Sequence, residues 1–250
     1  MLTRNTIKYI QSLKQKKFRQ MYNNFVVEGV KMATEIIQNP IFEVKGIYAL
    51  ESWITENSTW LNSFQSKLHI ASKKDLERIS GLKTPNQVLV VCQIPRYKLD
   101  LPTINNSLTL YLDNIQNPGN LGSILRIADW FGWPFIFCSE NTVEVFNPKV
   151  IQASMGAFLR VQTITIDFDS LVEQLPTLPT FATVLDGENV FQIPSPKKGI
   201  LIIGNEGAGV SDHIIEKANY KISIPKGREG QAESLNAAVA TGIFCAAFEQ

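Results

Sequence analysis

The sequence predicts an α/β protein built of two domains, in which most strands run parallel. Short apolar runs typical of buried strands alternate with stretches of helical periodicity along its 250 residues. In the second half, three loops rich in glycine and amide side chains each follow such an apolar run directly. A hydrophobic content of 44% is enough to form a core in each domain.

The first domain is predicted over residues 1–95. It opens with a basic helix in which Ile7, Ile10 and Leu13 recur at helical spacing. Segments 31–38 and 46–50, a short helix over 73–79 and an apolar strand over 88–94 complete it. Residues 96–107 have the composition of a linker, with Pro102 and the pair Asn105-Asn106.

The second domain is predicted over residues 108–250. Strands over 108–113, 135–138, 161–166, 181–185, 200–203 and 221–224 alternate with helices over 121–131 and 148–158. A last helix is expected to open at Ser234. It is expected to bury one face, formed by Leu235, Ala238, Val239, Gly242, Ile243 and Ala246.

The three loops of the second domain carry the polar side chains that indicate a site. The first covers residues 116–126, the second is Gly-Asn-Glu-Gly-Ala-Gly at 204–209, and the third leads from 225 to Ser-Leu-Asn at 234–236. Between them they bring Asn120, Arg126, Glu206, Ser234 and Asn236, a set typical of a nucleotide-type pocket. A Rossmann site is disfavoured because Asp212 replaces the third glycine, and no Lys-Ser or Lys-Thr pair follows a glycine loop as an NTPase phosphate loop requires.

These motifs resemble those of the SpoU/TrmH family of RNA ribose 2′-O-methyltransferases. The resemblance rests on Asn-x-Gly-x-x-x-Arg ending at Arg126, Gly-x-Glu-Gly at 204–207, and Ile-Pro at 224–225 leading into Ser-Leu-Asn at 234–236. The segment Phe-Val-Val-Glu-Gly-Val at 25–30 also resembles the substrate domain at the N-terminus of such proteins. The likeness therefore covers nearly the whole chain.

The resemblance implies a fold, a donor and a set of partners. It implies a trefoil-knotted catalytic domain of parallel strands, a smaller N-terminal α/β domain that binds RNA, a homodimer, and no metal. The donor is S-adenosyl-L-methionine, and the substrate is a structured RNA, ribosomal in preference to transfer RNA. The implied cofactor contacts are Leu185, Gly204, Asn205, Glu206, Gly209, Ile224 and Leu235.

The implied catalytic set is Asn120, Arg126, Glu206, Ser234 and Asn236. We expect Arg126 to hold a phosphate next to the target ribose, because a guanidinium recognises phosphate with two prongs and stays charged. The glycines would let the backbone of the loops approach the donor closely.

Each of these residues also has a purely structural interpretation. Arg126 could pair with Asp129 three positions along an exposed helix. Asn120 and Ser234 are favoured helix N-cap residues and could do no more than start their helices. Glu206 could be a solvated loop carboxylate. His69 and His213 are far from carboxylates in the sequence and are expected to be structural.

The distribution of charge and the cysteine content limit which partners and which cellular compartment are expected. Residues 1–27 contain Arg4, Lys8, Lys14, Lys16, Lys17 and Arg19 without any acidic residue, so contact with a polyanion is expected to begin there. Between 225 and 234 the chain is longer and more charged than is usual in the family, and Lys226 and Arg228 could face RNA. The three cysteines are expected to be buried free thiols in a reducing cytoplasm, and no membrane segment is predicted.

Two other functions remain open at this point. The chain could be a non-catalytic RNA-binding or assembly factor that keeps the knotted fold, although the complete set of motif residues argues against this. Methylation of a base by a related knotted enzyme is disfavoured by the Ser-Leu-Asn motif.

Overall fold

A computed structural model describes all 250 residues and separates them into two compact units. The first unit comprises residues 1–96 and 146–151, and the second comprises residues 97–145 and 152–250. The segment 96–107, expected to be a linker, includes a short helix over Leu101–Ile104, which Asp100 caps through its side chain. No helix is long and apolar enough to cross a membrane.

The first unit has a four-stranded sheet with helices packed against it. Its strands lie in the order β1-β4-β2-β3, and only β2 and β3 pair in parallel, so the expectation of parallel strands does not hold in this unit. The strands are β1 (Asn24–Glu28), β2 (Val44–Ala49), β3 (Leu68–Ile70) and β4 (Val88–Gln93). The helices are α1 (Arg4–Ser12), α2 (Lys16–Tyr22), α3 (Val30–Gln38), α4 (Glu51–Glu56), α5 (Ser58–Leu61) and α6 (Lys73–Ile79).

Helices α1 and α6 cover one face of this sheet. Ile10 and Leu13 pack there with Leu76 and Ile79 in one buried cluster, as the helical spacing at the N-terminus predicted. Arg19, expected to belong to the basic surface, is 2% exposed, and its Nη1 donates a hydrogen bond to the carbonyl of Leu13 at 2.7 Å. The guanidinium of Arg19 therefore satisfies a buried backbone acceptor and is not available to a polyanion.

The second unit has a six-stranded sheet in which every pairing is parallel. The order is β10-β8-β9-β5-β6-β7. Its strands are β5 (Leu108–Leu112), β6 (Phe135–Cys138), β7 (Gln162–Thr165), β8 (Thr180–Asn189), β9 (Gly199–Ile203) and β10 (Tyr220–Ser223). Its helices are α7 (Leu101–Ile104), α8 (Pro118–Phe131), α9 (Pro148–Ser154), which starts in the first unit, α10 (Phe168–Gln174), α11 (Asp212–Lys217) and α12 (Ala237–Phe248).

Helix α9 ends earlier, and helix α8 begins earlier, than the sequence predicts. The helix expected over 148–158 stops at Ser154 because Met155 and Gly156 adopt positive φ angles of 50° and 94°. Helix α8 begins at Pro118 instead of near Leu121, since Asn117 caps it and proline suits a first helical position.

The buried face of α12 was predicted only in part, since Ala238 is buried as expected. Of the expected face, Leu235 lies before the helix and Val239 on it, and these two side chains are 47% and 53% exposed, whereas Phe244 and Phe248 are buried. The helix is apolar on nearly every side, so periodicity could not decide which face meets the sheet. One apolar side of α12 is consequently left uncovered.

The three cysteines are free and buried, as predicted. Burial raises the pKa of the Cys92 and Cys138 thiols to about 12. A thiol with so high a pKa is neutral and unreactive at physiological pH.

Candidate functional site

The middle of β8 and the loops that follow β9 and β10 surround one cavity of about 590 Å³. The start of α12 closes it through Ala237, Ala240 and Phe244. Ser234 and all of the expected cofactor contacts lie in the wall of this cavity. The cofactor contacts are Leu185, Gly204, Asn205, Glu206, Gly209, Ile224 and Leu235. The volume lies within the range of small-molecule sites, roughly 300–1,000 Å³.

The loop after β9 owes its shape to Asn205 and two glycines. The backbone groups of Asn205 and Gly209 pair in both directions, at 2.9 and 3.0 Å, and Asn205 Oδ1 accepts two further backbone amides. A Cβ at Gly204 would lie 2.1 Å from the carbonyl carbon of Gly209, and Gly209 has a φ of +75°. Only glycine fits both positions, and the cavity wall here is therefore largely backbone.

Asn205, and two side chains that the sequence did not single out, Asp113 and Ser211, fasten this loop to the segment after β5. Asn205 Nδ2 donates to the carbonyl of Asn114 at 2.8 Å. Asp113, 2% exposed, accepts from the backbone amide and the hydroxyl of Ser211 at 2.7 and 2.6 Å. An aspartate directly after an apolar strand was the available signal, because a carboxylate in that position needs partners when buried.

A chain of side-chain hydrogen bonds links one residue from each of the three loops. Asn236 Nδ2 donates to Asn120 Oδ1 at 2.9 Å, and Asn120 Nδ2 donates to Glu206 Oε1 at 2.9 Å. The backbone amide of Asn117 also donates to Glu206 Oε1, at 3.1 Å. The donors all point from α12 and α8 towards the carboxylate, so this network holds Glu206 in its ionised form.

The pKa of Glu206 lies below its usual value as a result. Partial burial raises the pKa, but the hydrogen bond from Asn120 and the backbone amides, including those of Gln116 and Asn117, together outweigh it. Glu206 is thus a fixed negative charge at the edge of the cavity at neutral pH.

The interpretation of Asn120 and Ser234 as helix N-caps is wrong for both residues. Asn117, not Asn120, caps α8, by accepting from the backbone amides of Gly119 and Asn120. Asn236, not Ser234, caps α12, while Ser234 is exposed in the cavity wall. Asn120 is 8% exposed, and both of its amide groups are used in the network.

Arg126 lies on the exposed side of α8 and does not line the cavity. The structure gives it no hydrogen bond or ion pair within the chain. Its expected alternative partner, Asp129, instead forms a two-pronged pair with Arg160 at 2.9 and 2.8 Å. The Arg126–Asp129 pairing is therefore wrong, and the guanidinium of Arg126 is free to bind an external group.

The remaining candidate residues are those of the loop after β10 and the two histidines. Residues 226–233 are exposed, and Lys226 and Glu233 lie in the cavity wall, whereas Arg228 does not. His69 stacks on Tyr48 with ring centroids 4.9 Å apart, in the first unit, and His213 is on α11 outside the cavity wall. No three His, Cys, Asp or Glu side chains come together in a way that could hold a metal ion.

Comparison with known proteins supports a family assignment. The family model described as "SpoU rRNA Methylase family" matches residues 107–246, and the model described as "MRM3-like substrate binding domain" matches residues 4–90. The 23S rRNA (guanosine(2553)-2′-O)-methyltransferase RlmP of Bacillus subtilis is 30% identical over 244 residues, which cover 95% of this chain and 93% of that protein.

Solved structures resemble the whole chain. A protein of the TrmH family from Porphyromonas gingivalis is 32% identical with a TM-score of 0.89, covering 99% of this chain and 98% of its own. An rRNA methyltransferase from Sinorhizobium meliloti with bound AdoMet is 25% identical with a TM-score of 0.88, covering 100% and 95%.

Proposed function

The chain belongs to the SpoU rRNA methylase family, and we infer that it transfers a methyl group from S-adenosylmethionine to a ribose 2′-hydroxyl of RNA. Ribosomal RNA is favoured over transfer RNA. Among the relatives that are similar over most of the chain, those named for a single kind of RNA act on rRNA. The observation that carries this proposal is the cavity whose wall contains all the expected cofactor contacts, with Glu206 held ionised at its edge by Asn120.

The residues of the cavity suit the proposed donor. The backbone of 204–209 offers amide and carbonyl groups to an adenosine, and Phe244 and Leu235 offer apolar surface. A sulfonium donor carries a positive charge and an intrinsically good leaving group. The carboxylate of Glu206 complements that charge, and its low pKa makes electrostatic attraction a better role for it than proton abstraction.

Transfer requires the 2′-oxygen to form a bond to the methyl carbon as the carbon–sulfur bond breaks, with the hydroxyl proton passing to solvent. We propose that Arg126 binds the phosphate next to the target ribose and so brings the hydroxyl into line. Positioning of this kind contributes roughly 7–11 kcal/mol to a two-substrate reaction. The absence of any partner for Arg126 within the chain supports this role.

We propose that the first unit binds RNA through the outer side of its α1, α2 and α6 layer. The exposed cations of this layer and of the following loop are Arg4, Lys8, Lys14, Lys16, Lys17, Lys73, Lys74, Arg78 and Lys83. Glu77 is the one exposed acid on these helices, because Asp75 is buried against Ser72, and Glu28 is buried and accepts from Ser80 and Gly81. The outward charge is therefore positive, as phosphate binding requires.

We also propose a homodimer, a trefoil knot in the second unit and a cytoplasmic location. The uncovered apolar side of α12, with Val239 and Ala246, suits a second copy of the chain. Arg126 does not reach the cavity of its own chain, which also suits a dimer in which it serves the partner subunit. The cytoplasm is where a bacterial-type ribosomal substrate is assembled.

The test is a map of ribose methylation in total RNA from cells with and without this gene. Loss of one 2′-O-methyl mark in ribosomal RNA would establish substrate and reaction together. Purified protein that does not bind S-adenosylmethionine would instead indicate the non-catalytic RNA-binding factor. A methylated base among the nucleosides of the product would indicate the related base methyltransferases.

A further inference from the structure

Helix α8 presents an exposed indole next to the free guanidinium. Trp130 is 85% exposed, far more than Trp53 at 1% or Trp133 at 2%. It follows Arg126 by four residues, so the two side chains are neighbours on one side of the helix, roughly 6 Å apart along its axis. Tryptophan is a highly buried residue on average, so an indole with this exposure is unusual.

The charge around this indole is positive. Asp129 lies between the two residues in sequence, but Arg160 binds both of its oxygens, so its charge is neutralised locally. Arg126 has no such counterion in the chain. A cation beside an open aromatic face is the combination that binds a phosphate and stacks on the attached base.

We propose that Trp130 is a stacking platform for an unpaired RNA base next to the nucleotide whose phosphate Arg126 holds. This inference rests on the proposed function and specifies how the same site selects its substrate. The RNA would need to be single-stranded or flipped out there, because a stacked, paired base cannot offer its face to a side chain. Trp130 is thus a specificity-determining residue, separate from the donor cavity.

A second copy of the chain is the alternative occupant of this surface, and charge argues against it. The uncovered side of α12 has no charged side chain, as a contact between subunits prefers at its centre. The side of α8 around Trp130 instead carries the unpaired cation of Arg126, which complements the phosphates of RNA whether Arg126 serves its own subunit or the partner subunit.

Intrinsic fluorescence tests the proposal directly, because Trp130 is the most exposed of the four tryptophans. The probe is a single-stranded oligoadenylate of roughly ten nucleotides. We expect it to quench and shift the emission of the wild-type protein and to leave the emission of a Trp130→Phe variant unchanged. Heparin, a polyanion without bases, is expected to bind without quenching the indole.

Affinity for the same oligoadenylate provides the second readout. Trp130→Ala is expected to weaken binding by roughly 5- to 150-fold, the fold-change that corresponds to the loss of one stacked base, while Trp130→Phe retains most of the affinity. Phe191→Ala removes another exposed aromatic ring, 49% accessible, and serves as the matched control with unchanged affinity. Both tryptophan variants concern an exposed side chain, so the fold should be retained.

Two outcomes would overturn the stacking role. One is an RNA affinity of Trp130→Ala within about twofold of wild type. The other is protection of Trp130 from acrylamide in the free protein, combined with a change of oligomeric state in Trp130→Ala, which would assign the surface to a second copy. If the wild-type protein methylates RNA and Trp130→Ala does so equally well, only this inference fails. If the wild-type protein transfers no methyl group, the proposed function fails instead.

Discussion

Asn236 performs two tasks that a single substitution can separate. Its Oδ1 caps α12 by accepting from the amides of Ala238 and Val239 at 3.0 and 3.3 Å, and its Nδ2 donates to Asn120. Aspartate is as good an N-cap as asparagine, but it has no side-chain donor. We therefore expect Asn236→Asp to keep the stability of the protein within about 0.5 kcal/mol and to impair methyl transfer.

The size of the activity loss follows from the polarity of the hydrogen-bond chain. The amide of Asn120 can rotate so that its Nδ2 donates to the carboxylate introduced at position 236. Its Oδ1 then faces the carboxylate of Glu206, and two acceptors cannot form a hydrogen bond. One hydrogen bond to a charged group is lost, which is worth about 1.5–3 kcal/mol, or roughly 10- to 150-fold. Water can replace part of it because Glu206 is half-buried, so we expect about a tenfold decrease in kcat/KM.

The assay is methyl transfer from labelled S-adenosylmethionine to ribosomal RNA, with urea unfolding in parallel. Asn236→Ala is expected to lose about 1 kcal/mol of stability as well as activity, because it removes the cap too. Asn147→Asp is the matched control, since Asn147 Oδ1 also accepts a backbone amide, from Lys149, outside this network. Unchanged kcat/KM in Asn236→Asp would refute the role given to the network.

Four further predictions concern the cavity, the guanidinium and the thiols. The pKa of Glu206 is lower in the folded protein than its usual value of 4.5, so its charge should stabilise the fold above pH 4.5 and stop doing so as the pH falls through the folded-state pKa. The difference in unfolding free energy between wild type and Glu206→Gln should therefore be present at neutral pH and disappear in strong acid. Arg126→Lys should lower kcat/KM for RNA by about tenfold or more with unchanged donor affinity, as one point charge replaces a two-pronged fork; near-normal turnover and RNA affinity would contradict phosphate anchoring. Gly204→Ala should abolish donor binding in calorimetry, because its Cβ would meet backbone at 2.1 Å, whereas Gly207→Ala, with its nearest neighbour at 3.7 Å, should bind normally. The three buried thiols should resist alkylation until the protein is unfolded, and rapid labelling of the native protein would argue against their burial.

The sequence predicted local geometry better than long-range contacts. Glycine at 204 and 209 and asparagine at 205 define the shape of one loop by themselves, so the loop and its position after a strand were predictable. The bond from Asn120 to Glu206 joins residues 86 apart, and no local pattern specifies it. The placement of the remaining cofactor contacts came from the family resemblance and not from periodicity.

The errors have a common physical origin. The face of α12 was predicted only in part because an almost uniformly apolar helix carries no periodic signal. Arg19 was assigned to the basic surface because composition cannot show that its guanidinium satisfies the carbonyl of Leu13. The pairing of Asp129 with Arg160, 31 residues away, likewise competes with the local partner that helix spacing suggests.

The hydrogen bond between Asn120 and Asn236 joins residues 116 positions apart. A growing polypeptide on the ribosome cannot make this contact until the whole stretch between them has been synthesised and has left the exit tunnel. Contacts of such long range also form late in folding, because the entropy of a large loop must be overcome first. The cavity that we propose for the donor is therefore complete only after α12 has docked, and we expect a nascent copy that still lacks this helix to be unable to modify the RNA around it.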